Sequence, residues 1–462
     1  MKLGCVLAAM AMMAHGAIAF AQEGTLHAEV RVEREHIKED CDKIKKLHSC
    51  AATLVIDHPF HIALGSIAPL NGFGAGPAFV INRAPNENWR TTFSADAVYA
   101  PGGAWRAGGY FKGIHTDVQL PQVVTKRAKP APVIRVSEYP VFSGYVQAIS
   151  LPNLTFYGIG ANTSKDDIAT YGLKETILGG SANLPLGRFA SWRMSLFADA
   201  NARMFDVLSG THHDTEQLSA RFTETTAPGL ATEPAFMQIG EGVRLRPFLF
   251  NDRLQLRYTF NFQHFISPQS DYSFNRWTID LSHEVPIYDR SAPEVRLETN
   301  SPNGCLAGPT TDKCPSVTRD RWGAFSVRML ASKAMVGDGG AVPFYLQRTL
   351  GGSDLDGNRA LATYADYRFR GPHLILLQEM VERSIWGPFG GFLQAEQGKV
   401  AAQNEPLNFA RLRHSATIGC TLRAGGFPML TMAWGTGGPE GTHIVITMDT
   451  SLLGGGSRPS LH

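Results

Sequence analysis

Several long stretches of the chain alternate between apolar and polar side chains. In RLQLRYTFNFQ (253–263), leucine, tyrosine and phenylalanine side chains alternate with arginine, glutamine, threonine and asparagine side chains. The same alternation recurs in 192–204, 276–285 and 412–423. A period of two residues predicts β-strands, because successive side chains of a strand point to opposite faces of the sheet.

The predicted strands are longer than those of typical globular proteins. Their alternation persists for ten to thirteen residues, whereas globular strands usually have about 5–6. Strands that cross a bilayer need about 9–11 residues, because they are tilted. The polar face carries Arg and Asp in strand centres, which a dry core would accept only in pairs, whereas a wet lumen tolerates them. We therefore expect one face to meet lipid and the other to meet a barrel interior.

The pattern predicts sixteen strands and two classes of connection. The strands cover 59–69, 72–83, 88–99, 103–115, 140–152, 168–183, 189–204, 235–248, 252–266, 274–286, 322–335, 373–385, 388–400, 410–423, 426–435 and 442–452. Short connections are 184–188, 249–251, 386–387 and 424–425, and long ones on the opposite rim are 153–167, 205–234, 336–372 and 401–409. Two connections, 116–139 and 287–321, are long although they fall on the short-turn rim.

Short periplasmic turns and long external loops are typical of outer-membrane barrels. Closure is required as well, because lipid offers no hydrogen-bonding partner to a free strand edge. The sequence thus predicts an all-β fold, a 16-stranded antiparallel transmembrane β-barrel over residues 59–453. The even strand number places both chain termini on the periplasmic side.

Composition agrees with strands and turns. Charged residues make up 18% of the 462 residues, below the roughly 25% of a typical soluble domain. The formal net charge of +2 lacks the excess of basic residues that nucleic-acid binding requires. No stretch after the N-terminal region has the about 18 consecutive apolar residues of a membrane-spanning helix.

The N-terminal region has the pattern of an export signal. One lysine, an apolar stretch and Ala19-Phe20-Ala21 precede Gln22, which predicts a signal peptide over 1–21 that is cleaved after Ala21. A single-pass anchor is the alternative. Residues 22–58 are charged and compatible with a helix, so we interpret them as a short periplasmic segment, and 454–462 as a C-terminal tail.

Four cysteines form two evenly spaced pairs, Cys41 with Cys50 and Cys305 with Cys314. In an oxidising compartment each pair predicts a local disulfide. A zinc site is the alternative, although the spacing differs from the short C-x-x-C of common structural sites. Cys420 falls on an apolar strand face, which favours an inert thiol.

Several motifs, taken in order, resemble the Omp85 superfamily, also called the bacterial surface antigen D15 group. They are FYGIGANTS (156–164), PFY and LGG at the start of PFYLQRTLGGSDLDGNRALATYADYRFR (343–370), then LILLQEMVER in the next strand, and LQAEQGKVA (393–401). The resemblance covers essentially the whole barrel. It implies that the long sixth external loop folds into the lumen as a lid.

In that superfamily the tip of the lid loop carries an Arg-Gly-aromatic motif, whose arginine pairs with acidic residues of two neighbouring strands. The resemblance places Glu396 and Gly398 at the acidic and glycine positions of the second strand, and Glu379 as the nearest match to the first acid. The tip departs from the motif, because Ala362 stands at the arginine position. The candidate residues of this lid-loop lock are Gly351, Gly352, Arg359, Tyr364, Arg368, Glu379, Glu396 and Gly398. Arg359 or Arg368 is expected to supply the positive charge.

The resemblance implies insertion, translocation or transport of proteins at the outer membrane of a Gram-negative bacterium, without a cofactor or a metal. Residues 22–58 leave no room for the periplasmic repeat domains that precede many such barrels. The expected partners are outer-membrane lipids and a protein client or periplasmic partner, and the barrel is expected to be a monomer. A passive solute channel and a structural barrel remain alternatives. An enzyme is not expected, because nothing places a nucleophile near His264 or His283.

Overall fold

The computed structural model describes residues 59–86, 88–116, 139–186, 192–211, 215–250, 253–288, 322–386, 389–424, 427–448 and 459. The predicted signal peptide, the segment 22–58 and both cysteine pairs lie outside the described residues. All of the predicted tail lies outside them too, apart from residue 459. Within the described ranges, no helix combines the length and the apolar character needed to cross a membrane.

One large antiparallel sheet dominates the molecule, and it contains seventeen strands of the described residues. These are β1 (Phe60–Ser66), β2 (Phe73–Asn86), β3 (Trp89–Tyr99), β4 (Trp105–His115), β5 (Val141–Phe156), β6 (Ala169–Pro185), β7 (Ser195–Ser209), β8 (Phe236–Leu245), β9 (Phe248–Leu249), β10 (Leu254–Ile266), β11 (Phe274–Tyr288), β12 (Trp322–Val336), β15 (His373–Trp386), β16 (Phe389–Ala401), β17 (Arg413–Ala424), β18 (Phe427–Gly438) and β19 (Gly441–Met448). A small separate sheet pairs β13 (Arg348–Leu350) with β14 (Phe369–Gly371). The short helix α1 (Leu218–Arg221) lies in the β7–β8 connection.

The strands of the large sheet pair in chain order, each antiparallel to the next. β9 has only two residues, and it pairs with the start of β10 as a continuation of β8. The first strand, β1, and the last strand, β19, lie next to each other. The sheet therefore has sixteen strand positions, with its first and last strands in contact, which confirms the predicted fold class of an all-β antiparallel barrel.

Each of the sixteen predicted ranges coincides with one strand of the barrel, and the largest difference is at β7. The range 189–204 was predicted, whereas β7 begins at Ser195 and ends at Ser209. Arg193 adopts a left-handed backbone conformation with φ 44°, and Leu186 N–H donates to the carbonyl of Met194 at 2.8 Å. Residues 192–194 therefore belong to the turn rather than to the strand.

The alternation of faces follows the prediction from the sequence. On β16, Phe392, Gln394 and Glu396 are buried inside the barrel, whereas Leu393 and Ala395 between them are exposed. Large apolar side chains are exposed all around the outer wall, among them Phe60, Phe111, Leu196, Met237, Val285, Phe325, Val381, Ile418, Trp434 and Ile446. An apolar outer wall around a polar interior is the arrangement of a transmembrane barrel.

Phe197 is an aromatic residue at a position of 192–204 where the alternation requires a polar one, and its side chain faces the lumen. The Arg244 guanidinium lies 4.3 Å from the centroid of its ring. A cation stacked on an aromatic face is a favourable contact, so this aromatic side chain is stabilised on the polar side of the wall.

Candidate functional site: the segment inside the lumen

The connection between β12 and β15, residues 337–372, runs through the interior of the barrel; we call it the lumen segment. Its side chains are mostly buried, and Leu361, Ala362 and Tyr364 expose 1% of their surface or less. It contains the small β13–β14 sheet. The predicted long loop inserted in the lumen is therefore present.

Gly351 and Gly352 allow the lumen segment to fold back on itself. Both have positive φ, 106° and 57°, which side chains with a Cβ rarely adopt. A Cβ on Gly351 would stand 2.6 Å from the carbonyl oxygen of Ala365, and one on Gly352 would stand 2.1 Å from Asp366 Oδ1. The predicted importance of these two glycines is thus explained by backbone geometry.

Glu396 is the acceptor on which the tip of the lumen segment is anchored. Its Oε2 accepts a hydrogen bond from the backbone N–H of Ala362 at 3.2 Å. Its Oε1 accepts from the side-chain amides of Gln378 at 2.7 Å and Gln394 at 3.0 Å. The backbone N–H of Ala362 therefore contacts this acid directly, at the position where the superfamily motif has an arginine.

Ala362 fits this position because the tip lies against the wall. A Cβ on Gly435 of β18 would stand 2.4 Å from the carbonyl carbon of Ala362. Next to it, Thr363 donates its N–H to Ser415 Oγ at 3.1 Å and its hydroxyl to the carbonyl of Thr436 at 2.7 Å. The tip is thus attached to β16, β17 and β18.

Arg359 reaches Glu396 only through a neighbour. Its Nη2 donates to Gln394 Oε1 at 2.8 Å, and Gln394 in turn donates to Glu396. The guanidinium also lies 4.5 Å from the centroid of the Phe392 ring. The predicted proximity of Arg359 to the acid is therefore present as a relay of hydrogen bonds.

Arg368 pairs with Glu440 in the β18–β19 turn rather than with the predicted acids. The Arg368 guanidinium donates hydrogen bonds of 2.8, 2.9 and 3.0 Å to the Glu440 carboxylate. Arg368 also donates to the hydroxyl and the carbonyl oxygen of Thr163, at 2.8 and 2.7 Å. One guanidinium thus joins the lumen segment to the β5–β6 loop and to the turn before the last strand.

Tyr364 and Gly398 contribute packing. The Tyr364 ring lies edge-on to Phe369 with 5.0 Å between centroids. A Cβ on Gly398 would stand 3.1 Å from both Leu350 Cδ1 and Leu376 Cδ1. The absence of a side chain at Gly398 leaves room for β13 of the lumen segment.

Glu379 does not belong to this site. It is exposed on β15, whereas the residue before it, Gln378, is buried. A shift of one residue along a strand moves a side chain to the other face of the sheet. The interior position therefore belongs to Gln378, and Glu379 lies on the outer wall, which corrects the sequence interpretation.

A second set of contacts attaches the base of the lumen segment to the opposite side of the barrel. Arg370 donates to the carbonyl of Phe344 at 2.8 Å and to the hydroxyl of Tyr171 at 3.1 Å. The Phe344 ring packs edge-on against Phe156 and Tyr171. Arg276 of β11, which is fully buried, donates to the carbonyl of Leu346.

The sequence interpretation missed Gln378, Gln394, Gly435, Glu440 and Arg370. The strand alternation could have identified Gln378 and Gln394 as interior residues, because both lie in register with the buried face that carries Glu396. Glu440 lies in a turn, and the sequence contains no signal that connects this turn with Arg368. The same holds for Gly435, whose role depends on contact with a distant segment.

The lumen segment carries two neighbouring carboxyl groups, those of the partly buried Asp354 and the exposed Asp356. Burial and the charge of Asp356 together raise the pKa of Asp354 to about 7, although hydrogen bonds from Asn358 oppose this shift. The backbone N–H of Asn358 donates to Asp354 Oδ1 at 2.7 Å. In the docked lumen segment Asp354 therefore keeps its proton to a higher pH than a solvent-exposed aspartic acid does.

The two histidines considered in the sequence, His264 and His283, lie on β10 and β11. Within the described ranges, no group of three or more His, Cys, Asp or Glu side chains is placed to hold a metal ion. His283 bonds Tyr258 at 2.6 Å and His264 bonds Asn275 at 2.9 Å, and neither contact involves a serine or cysteine. Cys420 is a free, exposed cysteine on β17.

No protein-family model matches the sequence, and no curated protein matches it. Solved structures similar to this chain include CdiB from Acinetobacter baumannii, with 10% identity and a TM-score of 0.46 over 84% of this chain and 59% of that one. CdiB from Escherichia coli has 10% identity and a TM-score of 0.46 over 85% of this chain and 62% of that one. BamA from Haemophilus ducreyi lacking POTRA domains 1–3 has 10% identity and a TM-score of 0.46 over 84% of this chain and 70% of that one. The chain thus spans less than two thirds of both CdiB chains.

Proposed function

We propose that the protein is an outer-membrane barrel of the Omp85 type that inserts or translocates a protein client, with the lumen segment closing its interior. The observation that carries the proposal is the attachment of this segment on opposite sides of the barrel. Its tip is bonded to Glu396 of β16 and Thr436 of β18, and its base to Tyr171 of β6 on the opposite side.

A closed interior favours this function over a passive channel. A porin-like channel needs a continuous water-filled path, whereas here the buried side chains of residues 344–370 occupy the lumen. The attachment to the β18–β19 turn through Arg368 and Glu440 also connects the lumen segment to the last strand of the barrel. A client that displaces the segment would thereby change the contacts of that strand.

The proposed location is the outer membrane of a Gram-negative bacterium, with the short-turn rim and the N-terminus on the periplasmic side. The long connections, including the one that forms the lumen segment, begin and end at the opposite rim. Lipids and a protein client are the proposed partners, and one chain forms the complete barrel.

The test is a reconstitution of the purified protein in lipid vesicles with an unfolded outer-membrane protein as client. We expect the client to fold faster, as measured by heat-modifiable migration on a gel, than in vesicles without protein or with an unrelated porin. Planar bilayers give the second measurement, in which the intact barrel is expected to be closed or to flicker. A large steady conductance together with no effect on client folding would replace the proposal with a passive channel.

A further inference from the structure

A carboxylate stands on the outer wall at Glu241 of β8. Burial alternates along this strand, and Glu241 is exposed on the same face as Met237 and Ile239. Its neighbours across the sheet are Ala198 of β7 and Phe262 of β10. Met237 and Leu245 lie four residues to either side, roughly 13 Å along the strand. Glu241 is therefore enclosed within the apolar band.

The carboxylate borders a recess in the outer wall of ≈ 810 Å³. We call it the outer-wall recess and define it by Ala182, Ala198, Leu196, Glu241, Phe262 and Trp277. The two small alanines pair with each other across β6 and β7, and they leave the space that larger neighbours surround. Outside this recess the same wall carries exposed leucine, isoleucine and phenylalanine side chains.

Among the described residues, the carboxylate of Glu241 makes no hydrogen bond and no ion pair. The nearby Arg244 faces the lumen, where it bonds Asn183 and stacks on Phe197. A charged side chain on the lipid face of a barrel is destabilising, most strongly at mid-height. An ionisable residue at such a position is best explained by a partner that neutralises it.

The surroundings of Glu241 suit a cation. Phe262 lies directly beside it, and Trp277 lies directly beside Phe262 on the next strand. Aromatic faces attract ammonium and guanidinium groups, most strongly when water is excluded. A carboxylate next to two aromatic rings therefore selects a basic group over a neutral or acidic one.

We propose that the outer-wall recess binds a lysine or arginine side chain presented by a membrane-embedded segment of another protein. The height of Glu241 decides between this occupant and a lipid headgroup, because headgroups stay at the membrane surface. The aliphatic stem of a lysine or arginine packs well on apolar side chains while its charged end reaches a polar partner. When two opposite charges are buried together, each reduces the penalty that the other has alone in lipid.

The test uses the full chain in lipid vesicles and a dye-labelled apolar helical peptide of about 20 residues with one central lysine. Energy transfer between the labelled barrel and the peptide measures binding. We expect the lysine peptide to bind at least about tenfold more tightly than the same peptide with a central leucine, as one desolvated cation contact allows. Glu241→Gln should remove this preference.

Glu379→Gln is the matched control, because Glu379 is also an exposed outer-wall acid but does not line the recess. We expect it to keep the preference for the lysine peptide. Ala198→Phe fills the recess and leaves the carboxylate in place, so it should remove the preference even if Glu241→Gln fails to fold.

Equal binding of the two peptides to the wild type would overturn the proposal. Loss of the preference in Glu379→Gln as well would show a general effect of outer-wall charge, and would overturn it too. As a third measurement, native mass spectrometry detects lipids that co-purify with the barrel. A co-purified lipid that is lost only in Glu241→Gln, and that the peptide does not displace, would assign the recess to a lipid instead.

Discussion

Arg368 and Glu440 form an ion pair with a nitrogen–oxygen distance of 2.8 Å, in which Arg368 exposes 2% of its side chain and Glu440 exposes 16%. Residue 368 belongs to the lumen segment, whereas residue 440 belongs to the turn between the last two strands. The pair therefore connects the occupant of the lumen with the strand that closes the barrel against β1.

Substitution of Arg368 by Ala is expected to loosen both the lumen segment and the β18–β19 turn. Loss of one partner of a buried pair leaves the other charge uncompensated, which costs about 3–5 kcal/mol. We expect more frequent channel openings in planar bilayers and faster protease cleavage within 337–372. Arg368→Lys should be intermediate, because lysine keeps the charge but loses the planar, two-pronged geometry.

The double variant Arg368→Ala/Glu440→Gln is the control for this pair. It should open no more often than Arg368→Ala alone, since both substitutions remove the same contact. Additive effects of the two substitutions would mean that each residue acts through a different partner.

The alternation of apolar and polar side chains predicts most of the fold. Sixteen strand positions and the face of nearly every residue follow from it, since a wall between lipid and water repeats every two residues. The predicted site was less accurate where a single residue decides the face. The resemblance gives Glu379 as the nearest match to an interior acid, displaced by one residue, whereas the alternation places Gln378 in the interior.

The residue pattern does not predict contacts between segments that are distant in sequence. The pairing of Arg368 with Glu440 spans 72 positions, and no periodic pattern connects a loop to a turn. The replacement of an arginine by the backbone N–H of Ala362 is equally invisible, since every residue except proline has such a donor. The resemblance therefore places Glu396 at the acidic position of its motif, but it does not predict the donors that Glu396 contacts.

Glu396→Gln is expected to weaken the docking of the lumen segment, although it preserves the shape of the side chain. The carboxylate accepts three hydrogen bonds, from Ala362, Gln378 and Gln394. The amide of Gln has only one oxygen, and its NH2 group would face at least one of these three N–H donors. A donor left without its acceptor costs about 1–3 kcal/mol. Hydrogen exchange at the Ala362 amide should increase accordingly.

The comparison variant is Glu379→Gln, which removes an acid of the same strand pair from the outer wall. It should leave exchange at Ala362 unchanged. An increase of the same size in both variants would show that barrel charge, rather than acceptance at Glu396, controls the docking.

Gly398→Val is expected to displace β13 of the lumen segment. A Cβ at this position already stands 3.1 Å from Leu350 Cδ1 and Leu376 Cδ1, and overpacking of a buried site typically costs about 1–3 kcal/mol. We expect a lower midpoint of denaturant unfolding and faster proteolysis of 337–372. At Gly337 a Cβ meets nothing within 4 Å, so Gly337→Val should leave both measurements close to the wild type.

The docking of the lumen segment is expected to weaken as pH rises from about 4 to about 7. Burial and the charge of Asp356 raise the pKa of Asp354 to about 7 from the usual 3.8 of an aspartic acid, so the docked state binds a proton that the undocked state releases. Protonated Asp354 favours docking fully below pH 4, and this effect is lost as the pH rises through 7. Because one proton is involved, the equilibrium constant for docking changes by at most about tenfold per pH unit. Channel opening in planar bilayers, recorded between pH 4 and 8, measures this dependence.

The charged groups that act on Asp354 decide how the pH dependence is tested. Asp356 opposes ionisation of Asp354 and Arg348 favours it; Arg328 of the barrel wall also interacts with it. Asp354→Asn removes the proton but keeps an acceptor for the backbone N–H of Asn358, so openings should become nearly independent of pH in this range. A variant that kept the full pH dependence would assign it to another group, and Asp356→Asn would then be the next variant to record, because Asp356 is the nearest like charge.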